Sequence, residues 1–98
     1  MAPRCNLGLV QQQGRQARPP NTVYRVAFGL RLREARESAV MSQEELANRA
    51  QMGRRYVGAV ERGEVSPTLD RIANLAICLG VQPATLMPPL SEARPRSH

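Results

Sequence analysis

The sequence predicts a compact, all-α domain of five helices with a disordered segment at each end. Apolar residues recur at helical rather than strand spacing, helix-capping residues stand at the expected boundaries, and the two ends lack such periodicity. The 98 residues suit one small domain rather than two. We assign the folded domain to residues 21–90, a disordered basic arm to residues 1–20 and a disordered tail to residues 91–98.

The first helix is predicted to end near Ser38, with Asn21 or Thr22 as its cap. Five apolar residues at helical spacing form its inward face: Val23, Ala27, Phe28, Leu32 and Ala35. We expect Arg31 and Arg33 to point outward.

Two short helices joined by a tight turn are predicted at the centre of the chain, over residues 43–62. Ser42 is a favourable N-cap for the first of them, and Glu45, three residues later, completes a capping box. Leu46 and two alanines repeat at helical spacing behind this cap. These residues predict a helix that begins at Gln43.

The second of these helices is predicted from Arg54 to Glu61, with Gly53 as a tolerable cap and Gly63 as its terminator. At about 100° per residue, its two valines point one way. The opposite arc has three cations, no carboxylate and two small residues: Arg54, Arg55, Gly58, Ala59 and Arg62. A helix of this kind fits a polyanion, and the major groove of DNA offers base-edge acceptors to arginine.

A fourth helix is predicted to begin near Ser66 or Thr68 and to end at Gly80. Its apolar face consists of six residues: Leu69, Ile72, Ala73, Leu75, Ala76 and Leu79. A short fifth helix is predicted over residues 83–87, where two prolines stop it.

The formal charge of +6 is concentrated outside the folded domain. Residues 1–25 carry +4 with no acid, whereas residues 26–90 hold eight arginines against seven acids. Net charge alone therefore does not identify a nucleic-acid-binding domain. The segregation of arginines on one arc of the helix at 54–62 indicates it instead.

The composition excludes several other classes of protein. The chain has no tryptophan and one phenylalanine, which argues against a stacking platform for single-stranded nucleic acid. Cys5 and Cys78 form neither a metal motif nor a disulfide framework. We find no metal spacing, cofactor motif or catalytic arrangement, so we do not expect an enzyme. No apolar run approaches the ~18 residues of a membrane span, so we expect a cytoplasmic protein.

One set of residues agrees in register with a known family: Phe28-Gly29, Arg31-Leu32-Arg33, Arg36, Ser42-Gln43-Glu44-Glu45-Leu46-Ala47, Val57, Val60-Glu61-Arg62-Gly63, Pro67 and Leu79-Gly80-Val81. On these residues the chain from about Phe28 to Met87 resembles the lambda-repressor/Cro (XRE) helix-turn-helix family. Tyr56-Val57, and Glu61-Arg62-Gly63 followed by Ser66-Pro67-Thr68-Leu69, are similar to small restriction-modification controller proteins.

The chain departs from this family in the turn. Gln51 stands where the family usually has glycine, and Gly53 where it often has serine or threonine. Either Gln51 adopts a left-handed conformation, at a cost of order 1 kcal/mol, or the turn slides towards Gly53.

The resemblance implies a structural ion pair between Arg36 and Glu61, which would tie the first helix to the end of the recognition helix. It also implies that Gln43, at a helix N-terminus, contacts the DNA backbone.

Our leading hypothesis is a sequence-specific, double-stranded DNA-binding transcription regulator that acts as a homodimer on a palindromic or pseudopalindromic operator. In this hypothesis Arg54 and Arg55 contact base edges, and Ala59 lies against the floor of the groove. Four residues contact phosphates: Gln43, Tyr56, Arg62 and Thr68.

The C-terminal helices hold more apolar residues than a small core absorbs. We therefore assign a dimer seam to five of them: Leu75, Ile77, Leu86, Met87 and Leu90. The alternative hypothesis is a protein-interaction module, such as an antitoxin or a regulator, that binds another protein through these helices.

Overall fold

The structure is a computed structural model that describes residues 21–93. It contains five α-helices, α1 (Thr22–Ser38), α2 (Gln43–Ala50), α3 (Arg54–Glu61), α4 (Leu69–Leu79) and α5 (Pro83–Leu86), followed by a 3-10 helix (Leu90–Ala93). The predicted all-α fold of five helices is thereby confirmed. Within the described range, no helix combines the length and apolar character needed to cross a membrane.

The structure describes part of the predicted C-terminal tail but none of the predicted N-terminal arm. The arm at residues 1–20 and the last residues of the tail, 94–98, lie outside the described residues. The tail was expected to be disordered from Ser91, and this is wrong for its first residues. They belong to the 3-10 helix, where Glu92 pairs with Arg31 of α1 at 3.1 Å between carboxylate and guanidinium.

Helix boundaries follow the local chemistry of the chain. The Ser42 hydroxyl accepts from the backbone N–H of Glu45 at 3.0 Å, and the Glu45 carboxylate accepts from that of Ser42 at 2.9 Å. This capping box begins α2 where it was predicted. Thr68 caps α4 by accepting from the backbone N–H of Arg71 at 3.2 Å. Gly80, with φ of 71°, ends α4 in a left-handed conformation.

The turn between α2 and α3 takes the first of its two predicted forms. Gln51 is left-handed, with φ of 57° and ψ of 49°, and its N–H bonds back to Ala47 and Asn48. Gly53 is extended and serves as an N-cap for α3 without a side-chain hydrogen bond. The entry angle of α3 therefore depends on a strained glutamine, at a cost of order 1 kcal/mol.

All five α-helices contribute to one core. It comprises ten buried side chains: Phe28, Leu32, Leu46, Ala47, Ala50, Val57, Val60, Leu75, Ala76 and Leu86. Two predicted inward residues are exposed instead, Val23 at 45% and Leu69 at 80%. Both stand in the first turn of their helices, where the apolar arc is wider than the core that covers it.

A close approach of two backbones joins α1 to the C-terminal end of α3. A Cβ atom on Gly29 would collide with the backbone carbonyls of Val60 and Glu61. Backbone atoms cannot swing aside as a flexible side chain can, so this crossing requires glycine.

Gly29→Ala should lower the free energy of unfolding by about 1–3 kcal/mol, because the added methyl group forces α1 away from α3. In an unconstrained helix interior the same change stabilises by up to about 1 kcal/mol, so the sign is diagnostic. Urea unfolding followed by circular dichroism measures it. Gly53→Ser is the matched control: its Cβ meets nothing within 4 Å and its hydroxyl can cap α3, so it should be neutral or stabilising. Equal losses in the two variants would contradict the interpretation.

Candidate DNA interface

The predicted orientation of α3 is the one observed. Val57 and Val60 are buried against the core, at 0% and 1% exposure, while Arg54 and Arg55 are exposed. Neither arginine forms an ion pair within residues 21–93. The start of α3 therefore presents two guanidinium groups whose donors are available to a ligand.

The middle of the arginine arc is less open than its sequence predicts. Gly58 is buried because two side chains lie over it. A Cβ atom at this glycine would stand 3.1 Å from Nη1 of Arg62 and 3.5 Å from Oε1 of Gln43. Ala59 is partly buried. The N-terminal arginines of α3 are thus exposed, whereas Gln43 and Arg62 cover Gly58 in its middle.

Arg36 and Glu61 form a bidentate ion pair inside the domain. Nε of Arg36 donates to Oε2 of Glu61 at 2.6 Å, and Nη2 donates to Oε1 at 3.1 Å. The third nitrogen, Nη1, donates to the backbone carbonyl of Met41 at 2.8 Å. The two side chains are 11% and 4% exposed. The pair joins α1, the segment before α2 and the end of α3.

Gln43 extends this network to the first residue of α2. Its Nε2 donates to Oε1 of Glu61 at 2.9 Å, so that oxygen accepts from both Gln43 and Arg36. The amide of Gln43 is therefore fixed in direction before any ligand arrives. The hydrogen bond to Glu61 raises the pKa of Arg36 above its ordinary value, and this effect outweighs burial, which lowers it. Arg36 stays charged across the physiological range.

Arg62 has a carboxylate partner that the sequence analysis missed. Its Nε and Nη2 donate to the two oxygens of Glu64 at 2.8 and 3.2 Å, and both side chains are more than half exposed. The hydrogen bond from Arg62 lowers the pKa of Glu64. The two residues are separated by only one glycine, which is the sequence signal for such a pair.

Arg71 is a second residue that sequence reasoning left out. Its guanidinium carbon lies 4.4 Å from the ring centroid of Tyr56. Its backbone N–H donates the hydrogen bond that the Thr68 hydroxyl accepts. Helical periodicity places Arg71 on a solvent-facing shoulder of α4, and only the folded chain brings it onto α3.

The predicted dimer seam needs a correction at two residues. Leu75 and Leu86 are fully buried within the chain's own core and cannot contribute to a surface. Ile77, Met87 and Leu90 are exposed, at 74%, 38% and 69%. The interior of this small domain absorbs more of the C-terminal apolar residues than their number suggested.

The fold and the exposed arginines at the start of α3 define a helix-turn-helix protein. A family model described as Helix-turn-helix, HTH_3, matches residues 32–86, and the chain belongs to this family. It is accordingly a DNA-binding transcriptional regulator.

The chain is similar to proteins described as controllers. It is 41% identical over 64 residues to the control protein C.BamHI of Bacillus amyloliquefaciens, covering 64% of this chain and 79% of that one. The crystal structure of the restriction-modification controller protein C.AhdI from Aeromonas hydrophila matches with 44% identity and a TM-score of 0.63. That match covers 64% of this chain and 96% of C.AhdI.

A further solved structure, the hypothetical transcription factor NHTF from Neisseria, matches with 35% identity and a TM-score of 0.65. It covers 76% of this chain and 85% of NHTF.

Arg36→Ala should lower the free energy of unfolding by about 3–5 kcal/mol, because it leaves the Glu61 carboxylate buried without its partner. Urea unfolding at neutral pH measures the loss. Arg33→Ala is the matched control on the same helix. Its pair with Glu37 is more than half exposed on both sides, so its loss should cost no more than about 0.5 kcal/mol. Similar losses in the two variants would contradict a structural role for the buried pair.

Proposed function

We propose that the chain binds a specific, pseudopalindromic DNA duplex as a homodimer, with α3 of each subunit in the major groove. The observation that carries this proposal is the opposition, on one short helix, of two buried valines to two exposed arginines that form no ion pair within residues 21–93. Half-sites for two such helices lie about one turn (10–10.5 bp), or a multiple of it, apart.

Arg54 and Arg55 are the proposed base-contacting residues. A guanidinium can donate two hydrogen bonds to the O6 and N7 acceptors of guanine, and no carboxylate has to be displaced at either arginine. A basic pair at a helix N-terminus also opposes the helix dipole, so stability alone does not favour it. Ala59 is the proposed contact with the groove floor, where a thymine methyl group can pack.

The proposed phosphate contacts surround this helix. Gln43 supports the assignment because its amide is already held by Glu61, so little side-chain freedom is lost on binding. The hydroxyl of Thr68 accepts one hydrogen bond from the backbone and retains its own proton for a phosphate. Arg62 is a different case, since it must exchange Glu64 for the phosphate. Tyr56 offers its phenolic hydroxyl.

The proposed dimer surface follows from the exposed side of α4. Leu69, Ala73 and Ile77 repeat every four residues, and the two large members are 80% and 74% exposed. An apolar stripe of this kind is costly to leave in water. A second copy of the chain on this stripe would bury both stripes at once, as an interface with twofold symmetry requires.

The similarity to control proteins suggests which genes are regulated. C.BamHI and C.AhdI are described as a control protein and a restriction-modification controller. We propose a corresponding role here, in which the dimer binds upstream of restriction-modification genes and of its own gene. Selection of bound duplexes from a random pool, compared with the DNA upstream of this gene, tests the role.

Arg55→Ala should weaken binding to the selected duplex by about 1–3 kcal/mol and relax the preference at one base pair. Binding to a scrambled duplex should change much less. Fluorescence anisotropy on both duplexes measures the difference. Arg49→Ala, which removes another exposed charge, in the last turn of α2, is the control for net charge. Equal weakening on both duplexes would reject base contact by Arg55.

Ile77→Lys should convert the dimer to a monomer, because it places a charge in the apolar stripe at one of its two large residues. Sedimentation velocity measures the change, and binding to a full operator should weaken more than binding to a half-site. Val40→Lys, between α1 and α2 and 87% exposed, is the control. A dimer that Val40→Lys dissociates as strongly as Ile77→Lys does would contradict an interface on α4. A monomeric wild-type chain without DNA preference would favour the alternative, a module that binds another protein.

A further inference from the structure

We infer that Arg71 is a phosphate-binding residue of this interface and that Tyr56 holds its guanidinium in place for that purpose. The inference rests on the proposed function, because it assigns one more contact in the same DNA complex. The ligand of Arg71 is the phosphate backbone of DNA, so this contact does not depend on the base sequence.

The first observation is the position of the guanidinium over a fixed ring. Its central carbon is 4.4 Å from the centroid of Tyr56, within the range of a cation–π contact. Tyr56 is partly buried and packs against the core, beside the fully buried Val57. The ring therefore restricts where the charge of Arg71 can be. Contact with one face of the guanidinium leaves the in-plane N–H donors free.

The second observation links Arg71 to both expected phosphate contacts of this region. Its side chain touches Tyr56, and its backbone N–H donates to Oγ1 of Thr68 at 3.2 Å. Tyr56 belongs to α3 and Thr68 is the cap of α4, so Arg71 stands where the two elements meet. An anion that reaches these two hydroxyl groups arrives beside the guanidinium.

The third observation is the contrast with Arg62. Both arginines are exposed and both adjoin α3, but Arg62 has two of its donors occupied by Glu64. Arg71 forms no ion pair with any residue that the structure describes, although Asp70 precedes it in the chain. Phosphate binding at Arg71 therefore breaks no existing pair, whereas at Arg62 it displaces a carboxylate.

The test is DNA binding by the full chain across a range of salt concentrations, on the selected and the scrambled duplex. Arg71→Ala should flatten the slope of log affinity against log salt by about one, and equally on both duplexes. At 0.1 M salt the corresponding loss is about eightfold, the factor that ~0.9 released counterions give relative to 1 M. Arg62→Ala and Arg49→Ala, which remove the same charge, should flatten the slope less.

The role of the ring is tested separately. Tyr56→Phe keeps the stacking face and loses the hydroxyl, whereas Tyr56→Leu removes the face. Arg71→Ala should still flatten the slope in the Phe background, and should flatten it less in the Leu background. Urea unfolding verifies that each variant is folded. Arg71→Lys keeps the charge without a planar group, so its salt slope should lie between those of wild type and Arg71→Ala.

Failure of the proposed function and failure of this inference give different results. If the wild-type chain does not prefer the selected duplex, the proposed function is wrong, and the salt slope on any duplex still reports on Arg71. If the wild type prefers the selected duplex and Arg71→Ala leaves the slope unchanged, or changes it no more than Arg49→Ala does, the inference is overturned.

Discussion

The ion pair between Arg36 and Glu61 fixes the orientation on which the rest of the interface depends. Burying two charges is costly, and such a pair is tolerated only when its geometry is good and its other donors and acceptors are satisfied. Both conditions hold, since two hydrogen bonds join the side chains, the carbonyl of Met41 accepts from the remaining nitrogen of Arg36, and Gln43 donates a further hydrogen bond to Glu61. The network fixes the relative positions of α1, the start of α2 and the end of α3, and this matters more than its contribution to the free energy of unfolding.

The close contact at Gly29 acts on the same end of α3. With the backbone of α1 against the carbonyls of Val60 and Glu61, α3 cannot rotate about its own axis without breaking either the contact or the ion pair. Its valines are thereby held inward, and its first two residues outward. A short helix of eight residues would not be stable or fixed in direction by itself, so this tertiary anchoring is necessary for a precise interface.

Local patterns predicted much of this fold, because they depend on residues a few positions apart. The capping box at Ser42 and the buried faces of α2 and α3 follow from spacing alone. The exposure of Leu69 and the position of Arg71 on Tyr56 do not follow from spacing, since each is set by how far a neighbouring helix extends. The left-handed Gln51 lies between these cases: the sequence limited the turn to two forms, and packing selected one.

The attraction of this domain for an anion depends on which arginines are paired with carboxylates rather than on the net charge. Residues 26–90 are nearly neutral, yet seven acids do not neutralise eight arginines uniformly. Arg31, Arg33, Arg36 and Arg62 are each paired with a carboxylate. The other four have no such partner among the described residues: Arg49 at the end of α2, Arg54 and Arg55 at the start of α3, and Arg71 beside it. A polyanion gains most where it replaces water rather than a carboxylate, so the pattern of pairing concentrates attraction around α3 in a domain with almost no overall charge.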